Sequence, residues 1–397
     1  GRATLALVAL RVVYAYNWTD IGPALPALSR QLGISPSEWG LLLAAFFVGA
    51  GLLQIPAGLL ALRWGNRTVA LTGAAILGAC ALASGLAPNF LDLVLLRGLC
   101  GAGAGLFFSP AIALVAGLHP PGRRGVPVGM FSSAYSAGAG LGVFVTALLV
   151  GPLGWGASIA LGGFGTLLLV PLTLALVPRP SGRPLPSRAT ARPRIPLVLR
   201  SRAVWVIGFS FVGLEGASLS AGQFFVPYAE AIRGWTPALA GLIGSLFVFP
   251  SLFGGPVGGW LAERFTNRRT QLALLTAGPS LMLILLPWLG WVAVAVVATV
   301  FAFAVGMVYA IMYILPPYLP GIRSEDVPLA IGLFNGIQLA GGAAVAAVVG
   351  AIVATFGYDP AWWFLGAIAA LTLAALPLLP ATGPRHSEST PTPGSDR

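Results

Sequence analysis

The sequence predicts an all-α integral membrane protein with twelve transmembrane helices in two pseudo-symmetric six-helix bundles. Three observations predict it. The first is composition: 57% of the 397 residues are hydrophobic and 8% are charged, with a mean hydropathy of +0.89. Soluble domains carry about 25% charged residues, so a water-soluble fold is excluded. The second is a repeat, which covers half the chain. ALRWGNR at 61–67 reappears as AERFTNR at 262–268, with Gly58 matched by Gly259. Pro26 and Pro227, Gly40 and Gly241, Gly129-Met130-Phe131 and Gly332-Leu333-Phe334, and Ala137-Gly138 and Ala340-Gly341 keep nearly the same offset. The third is that the arginines fall mainly in alternate loops.

Each span is bounded by a charge, a proline or a glycine. Residues 4–29 run from Arg2 to Arg30, 38–62 from Glu38 to Arg63, and 68–87 from Arg67 to Pro88. Residues 90–118 end at His119-Pro120, 125–151 follow Arg123-Arg124, and 154–177 end at Pro178. In the second half, 202–229 end at Glu230, 237–262 at Glu263, and 270–289 follow Arg268-Arg269. The last three are 291–318, 328–356 after Asp326, and 360–380 after Asp359. Only helices and closed barrels satisfy their backbone in lipid, and apolar runs this long are helices. The first run is too long for the apolar part of a cleavable leader and continues as a span. The domains are therefore 1–177, an N-terminal bundle; 178–201, an Arg- and Pro-rich linker expected to be an extended tether; 202–380, a C-terminal bundle; and 381–397, a tail expected to be disordered.

The net charge of +11 does not point to nucleic acid. All 22 basic residues are arginine, and seven of them (Arg179, Arg183, Arg188, Arg192, Arg194, Arg200 and Arg202) crowd the segment between the halves. Arg63, Arg67, Arg123, Arg124, Arg264, Arg268, Arg269 and Arg323 lie in loops on the same side, against Arg30 and Arg233 on the other. This is the positive-inside bias, and it places both termini and the linker in the cytoplasm. A bacterial or archaeal plasma membrane is the expected location, with attraction of the arginines to anionic lipid. Cys80 and Cys100 lie in apolar runs without ligand-like spacing and read as small apolar residues.

The doubled loop, the two six-helix halves and the basic linker resemble the major facilitator superfamily of secondary transporters, over residues 1–380. The family's loop between helices 2 and 3 has a glycine, an acid followed by a basic residue, and a Gly-Arg-basic ending. Gly58, Arg63, Gly65 and Arg67 fit it, but Leu62 stands at the acidic position and Asn66 follows Gly65; the second copy has Glu263 but Thr266 in place of the glycine. In the family this acid latches the outward-facing state. The resemblance therefore implies gating roles for Arg63, Arg67, Glu263, Arg264 and Arg268, with the latch supplied by the second half. LVLLRGLCGAGAG at 93–105 is similar to the family's helix-4 pattern and marks Arg97 and Gly101, and TDIGPALPAL at 19–28 resembles its helix-1 ending. The helix-5 Gly-Pro pair of the family's drug exporters is missing from GAGLGVFVTALL at 138–149.

Four ionisable residues fall within spans: Arg11, Asp20, Arg97 and Glu215. Each costs roughly 2.5–3.5 kcal/mol at a helix centre on insertion scales, so such residues are functional candidates. Asp20 and Arg97 are each about 10–12 Å below the ends of helices 1 and 4, at 1.5 Å per residue. They are expected to pair, either to bind and gate a solute or as a permanent structural ion pair. Glu215 lies between Gly213 and Gly216 in helix 7 with no cation adjacent in sequence. Burial of a carboxyl group favours its neutral form, which suits a group that takes and releases protons. Glu215, with Asp20, is the expected proton-coupling site. Arg11 reads as a side chain that snorkels to the nearby interface, with contact to an anion in the inward-facing state as the alternative. Substrate contacts are expected from Arg97, Asn17 (on the face of Asp20), Tyr135, Tyr309, Tyr313, Asn335 and Gln338.

Gly101-Ala-Gly103-Ala-Gly105 and Gly138-Ala-Gly140-Leu-Gly142 lie inside spans, so they are packing glycines rather than nucleotide loops. Pro110, Pro250, Pro256, Pro279 and Pro287 are expected to kink their helices. His119 and His386 are outside the spans, and no catalytic or metal-binding constellation is formed, so neither an enzyme nor a cofactor is expected. The chain reads as a secondary transporter, a monomer in the bilayer, working by alternating access. Its function is expected to be proton-coupled uptake of a small polar or anionic organic solute; proton-driven efflux of lipophilic drug-like compounds is the alternative.

Overall fold

The computed structural model describes residues 1–120, 123–178, 195–264, 267–315, 319, 321–323 and 326–378. All regular elements among them are helical. The first half comprises α1 (Arg2–Thr19), α2 (Ile21–Leu32), α3 (Pro36–Trp64), α4 (Asn66–Ser84), α5 (Phe90–Gly117) and α6 (Gly125–Leu176). A short α7 (Ile195–Arg200) precedes the second half. That half contains α8 (Arg202–Ser210), α9 (Val212–Ala231), α10 (Pro237–Ser245), α11 (Ser251–Arg264), α12 (Arg268–Leu285), α13 (Trp291–Ile314), α14 (Val327–Phe356) and α15 (Tyr358–Ala375). Eight helical stretches among the described residues are long and apolar enough to cross a membrane. The other four predicted spans correspond to α1–α2, the second part of α6, α10–α11 and α15.

The breaks have local causes. α6 is 52 residues long, about twice the length needed to span, and turns at Gly154, whose φ of 78° is open to glycine at little cost. α1 gives way to α2 at Asp20, because Pro23 has no N–H to offer the Thr19 carbonyl. Between α10 and α11 the chain runs through turns that end at Pro250. α8 and α9 part at Phe211, beside a Ser210 hydroxyl that donates back to the Val206 carbonyl at 2.5 Å. By contrast, Pro110, Pro256 and Pro279 are carried inside continuous helices. Part of the linker expectation also changes: Ile195–Arg200 is helical, its Val198 buried. Most of the remaining linker and the tail lie outside the described residues.

The halves meet through small residues, which let helix backbones approach. A Cβ placed on Gly40 of α3 would come within 2.6 Å of the Ala346 carbonyl oxygen of α14, and one on Gly350 within 2.5 Å of that of Pro36. The clearance grows along the same helix pair, to 3.4 Å from Gly51 to the Gly336 oxygen and 3.9 Å from Gly332 to Ile55. Across the other seam, Gln223 of α9 donates through Nε2 to the Trp18 carbonyl at 2.6 Å, and the Ser136 and Ser251 hydroxyls lie 2.7 Å apart. The halves thus approach most closely at the end that carries Leu32 and Pro36, and this contact loosens toward the end that carries the arginine-rich loops. Gly40→Val should force the contact apart, at a cost of roughly 1–3 kcal/mol for the overpacked site. With Cys80 and Cys100 replaced, maleimide labelling of Gln223→Cys should rise several-fold when Gly40→Val is added. Unchanged labelling would mean that this contact does not hold the halves together at this end.

Candidate functional site

Three clusters account for the predicted site residues within the spans. The first is the pair in the first half. Asp20 sits at the α1–α2 break, and its Oδ1 lies 3.1 Å from Arg97 Nη1 of α5. Arg97 Nη2 donates to the Asn17 carbonyl at 3.0 Å, and the guanidinium lies 5.0 Å from the Phe46 ring centroid of α3. The Asn17 amide donates to the Val13 carbonyl at 2.7 Å and to Thr166 Oγ1 of α6 at 3.1 Å. Asp20, Arg97 and Asn17 are at most 1% exposed. Their partners all come from the same half, so this cluster binds helices to one another.

The second cluster belongs to the other half. The Tyr309 hydroxyl of α13 donates to Glu215 Oε2 of α9. The Tyr313 hydroxyl donates to Asn335 Oδ1 of α14 at 3.2 Å, and Gln338 Nε2 reaches Met312 Sδ at 3.1 Å. Glycines beside Glu215 bring its helix into close contact: Gly213 abuts the Ile368 carbonyl of α15, and Gly216 abuts Val345 of α14. Tyr313 is 37% exposed although it lies in a span, and so it marks the mouth of the looser end.

The third cluster surrounds Arg11 and departs from the expectation of snorkelling. Arg11 is only 6% exposed. Its guanidinium carbon lies 4.5 Å from the ring centroid of Tyr14, 4.7 Å from Phe108, 5.0 Å from Tyr135 and 5.4 Å from Phe131. Nε and Nη1 are buried without an acceptor among the described residues. Cation–π contacts offset part of the burial, at roughly 0.5–2 kcal/mol each. They do not replace an acceptor, and an unmade bond to a charged donor costs more than the usual 1–3 kcal/mol or so. Tyr135 and Tyr313 are electrostatic neighbours of both Arg11 and Glu215, and Tyr309 is a neighbour of Tyr135, Tyr313 and Glu215. Tyr135, Tyr309, Tyr313, Asn335 and Glu215 therefore gather around the cleft, whereas Asn17, Asp20 and Arg97 do not. Sequence reading missed Tyr14, Phe108 and Phe131. The i,i+3 spacing of Arg11 and Tyr14 was a signal for the first, since it places both on one helix face.

Among the loop residues, Arg67 donates from Nε to the Val177 carbonyl at 3.1 Å and from Nη2 to that of Leu174 at 2.5 Å. It caps the end of α6 within its own half, where a cation is also favoured by the helix dipole. Arg63 and Arg264 are exposed, the latter 5.6 Å from the Trp260 ring centroid. The side chains of Glu263 and Arg268 lie outside the described residues.

A family model described as Major Facilitator Superfamily matches residues 7–321. The chain belongs to this superfamily. The superfamily's members that it resembles are transporters rather than enzymes. A probable nitrate/nitrite transporter, NarK2 of Mycobacterium tuberculosis, is 28% identical over 280 residues, 69% of each chain. The 4-hydroxybenzoate transporter PcaK of Pseudomonas aeruginosa is 26% identical over 288 residues, 64% of each chain. Among solved structures, a D-xylose-proton symporter superposes with a TM-score of 0.76 at 17% identity, covering 94% of this chain and 96% of that one. A bacterial homologue of the human lysosomal transporter Spinster, in an inward-facing and occupied conformation, gives 0.70 at 18%, covering 95% and 93%. These superpositions establish the fold; the family match and the sequence relatives make the chain an integral membrane transporter of small solutes.

Proposed function

We propose that this chain is a secondary active transporter that takes up a small polar or anionic solute together with protons. Glu215 is its proton-carrying group. The observation that carries this reading is the Glu215–Tyr309 hydrogen bond in the cleft between the halves, with no cation paired to the carboxyl group among the described residues. The Tyr309 phenol gives the carboxyl group a donor when it is charged, so the group can take and release a proton in place. The arginine-rich end faces the cytoplasm on this reading, by the positive-inside rule, so the described state is open inward. Rocking the halves about the α3–α14 and α6–α10 seams would expose the cleft to the other side. The relatives supply the first solutes to try, nitrate and 4-hydroxybenzoate. Export of lipophilic drugs is less well supported, because the cleft's aromatic rings are taken up by a guanidinium.

The experiment is transport in reconstituted vesicles that enclose a pH-sensitive dye. Adding solute outside should acidify the lumen, and an acid-outside gradient should concentrate solute within. Alkalinisation on adding solute would instead assign exchange of solute for protons, and proton-independent uptake would remove the coupling altogether.

A further inference from the structure

The most unusual group in this cleft is Arg11. Every other charge buried in the membrane-spanning region has a hydrogen-bonding partner or counter-charge among the described residues: Asp20 has Arg97, and Glu215 has Tyr309. Arg11 has four aromatic rings, the Tyr14 hydroxyl among its neighbours, no acceptor for Nε or Nη1 and, unlike Arg97, no counter-charge among the described residues. It lies nine residues after Arg2, about 14 Å along α1, too deep for its head to reach bulk water. The rings come from α1, α5 and α6, so the pocket is preformed within one half. Its electrostatic neighbours Tyr135 and Tyr313 also sense Glu215 of the other half. Arg11 and Glu215 are not within ion-pair distance of one another.

We infer that Arg11 anchors the charged group of the transported solute, and that this group is a planar monovalent oxyanion, either a carboxylate borne on an aromatic ring or nitrate. The planar guanidinium fork matches a planar O–X–O edge, and the ring walls accept a flat π system. A tetrahedral dianion fits poorly, since one cation would leave half its charge unbalanced among rings with few donors. This inference rests on the coupling reading above and explains it. An anion on Arg11 cancels the positive charge that the described residues place there, so a charged Glu215 would leave a net negative charge between the halves. One proton taken from water onto the Glu215 carboxylate restores neutrality. Anion and proton then enter together because they enter as a neutral pair.

The groups that face Glu215 are compatible with this. α13 presents Tyr309 and Tyr313 and α6 presents Tyr135, and it is through Tyr135 and Tyr313 that Arg11 of α1 and Glu215 have neighbours in common. α14 carries no ionisable residue beyond its cap, and α10 carries none. The ionisable residues of α15 (Tyr358 and Asp359) and of α2 (Arg30) lie with Glu230 and Tyr228 at the other end of α9, and Arg202 begins α8.

Calorimetry and thermal shift on the purified protein test the inference, with sodium benzoate, sodium nitrate and sodium sulfate as probes at acidic and alkaline pH. Benzoate or nitrate should bind and sulfate should not; benzoate alone assigns a ring-borne carboxylate and nitrate alone an inorganic anion. Affinity should weaken by roughly tenfold for each pH unit above the point at which Glu215 loses its proton. Glu215→Gln should bind without that pH dependence. Arg11→Gln should lose roughly 30-fold or more in affinity for both anions. Its ligand-free melting temperature should equal or exceed that of the wild type, because an unpaired buried cation is removed. Arg11→Lys keeps the charge without the fork and should also bind weakly. Wild-type affinity in Arg11→Gln overturns the inference, as does a lowered melting temperature with unaltered affinity in Arg11→Lys, which is the mark of a structural residue. If neither anion binds the wild type, the anchor falls, while proton movement with other solutes in the vesicle assay would leave the coupling role of Glu215 standing.

Discussion

Glu215→Gln is expected to abolish accumulation of solute under an imposed pH gradient while preserving exchange of labelled for unlabelled solute in the same vesicles. Glutamine copies the neutral carboxyl group in size and keeps an acceptor for the Tyr309 hydroxyl. It has no proton to release, so the halves can carry solute in either direction but no longer tie its passage to proton flow. Concentrative uptake should fall to the equilibrium level of facilitated diffusion. Tyr309→Phe should behave differently. It removes the phenol that stabilises the charged carboxylate, which then holds its proton more tightly, so uptake should slow most when the release side is acidic and recover as that side is made alkaline. A Glu215→Gln variant that still concentrates solute would move the coupling site elsewhere. Loss of exchange as well as accumulation, in protein that remains folded, would make Glu215 a solute contact instead.

The architecture was readable in the sequence because lipid leaves a chain few choices. The apolar runs, the repeat of ALRWGNR as AERFTNR and the alternation of arginines each report a one-dimensional property: length, duplication, side of the membrane. Of the prolines expected to kink their helices, Pro250 ends the turns between α10 and α11, whereas Pro110, Pro256 and Pro279 lie within unbroken helices, and the breaks at Asp20 and Gly154 were not anticipated. The sequence singled out the ionisable members of the site and the polar residues Tyr135, Tyr309, Tyr313 and Asn335, but not how they are arranged. Asp20, Arg97 and Glu215 stand out in apolar helices, and the first two do pair. Sequence depth alone does not show that Arg97 has a counter-charge inside one half and that Arg11 has none among the described residues. That difference depends on Phe108, Phe131 and Tyr135 arriving from α5 and α6, and residues so far apart in the chain leave no mutual spacing to read.

The Asp20–Arg97 pair should prove to be a structural tie, and a double-mutant cycle decides it. Arg97→Gln alone strands a carboxylate that is fully buried at the α1–α2 break. Removing one partner of such a pair typically costs about 3–5 kcal/mol, enough to lower folded yield and melting temperature sharply. Asp20→Asn alone leaves Arg97 with the Asn17 carbonyl and the Phe46 ring, so its penalty should be smaller. Combining the two removes both charges at once, and much of the lost stability should return, as a coupling energy of the size seen for contacting charges. The decisive readout is transport by the double variant. The pair's partners lie in α1, α3, α5 and α6, on the inside of one rigid half, so a folded double variant should retain proton-driven uptake. If it folds and exchanges solute but fails to accumulate it, Asp20 shares the proton path with Glu215. That outcome would require the first half to open around a pair which the Asn17, Thr166 and Phe46 contacts now enclose.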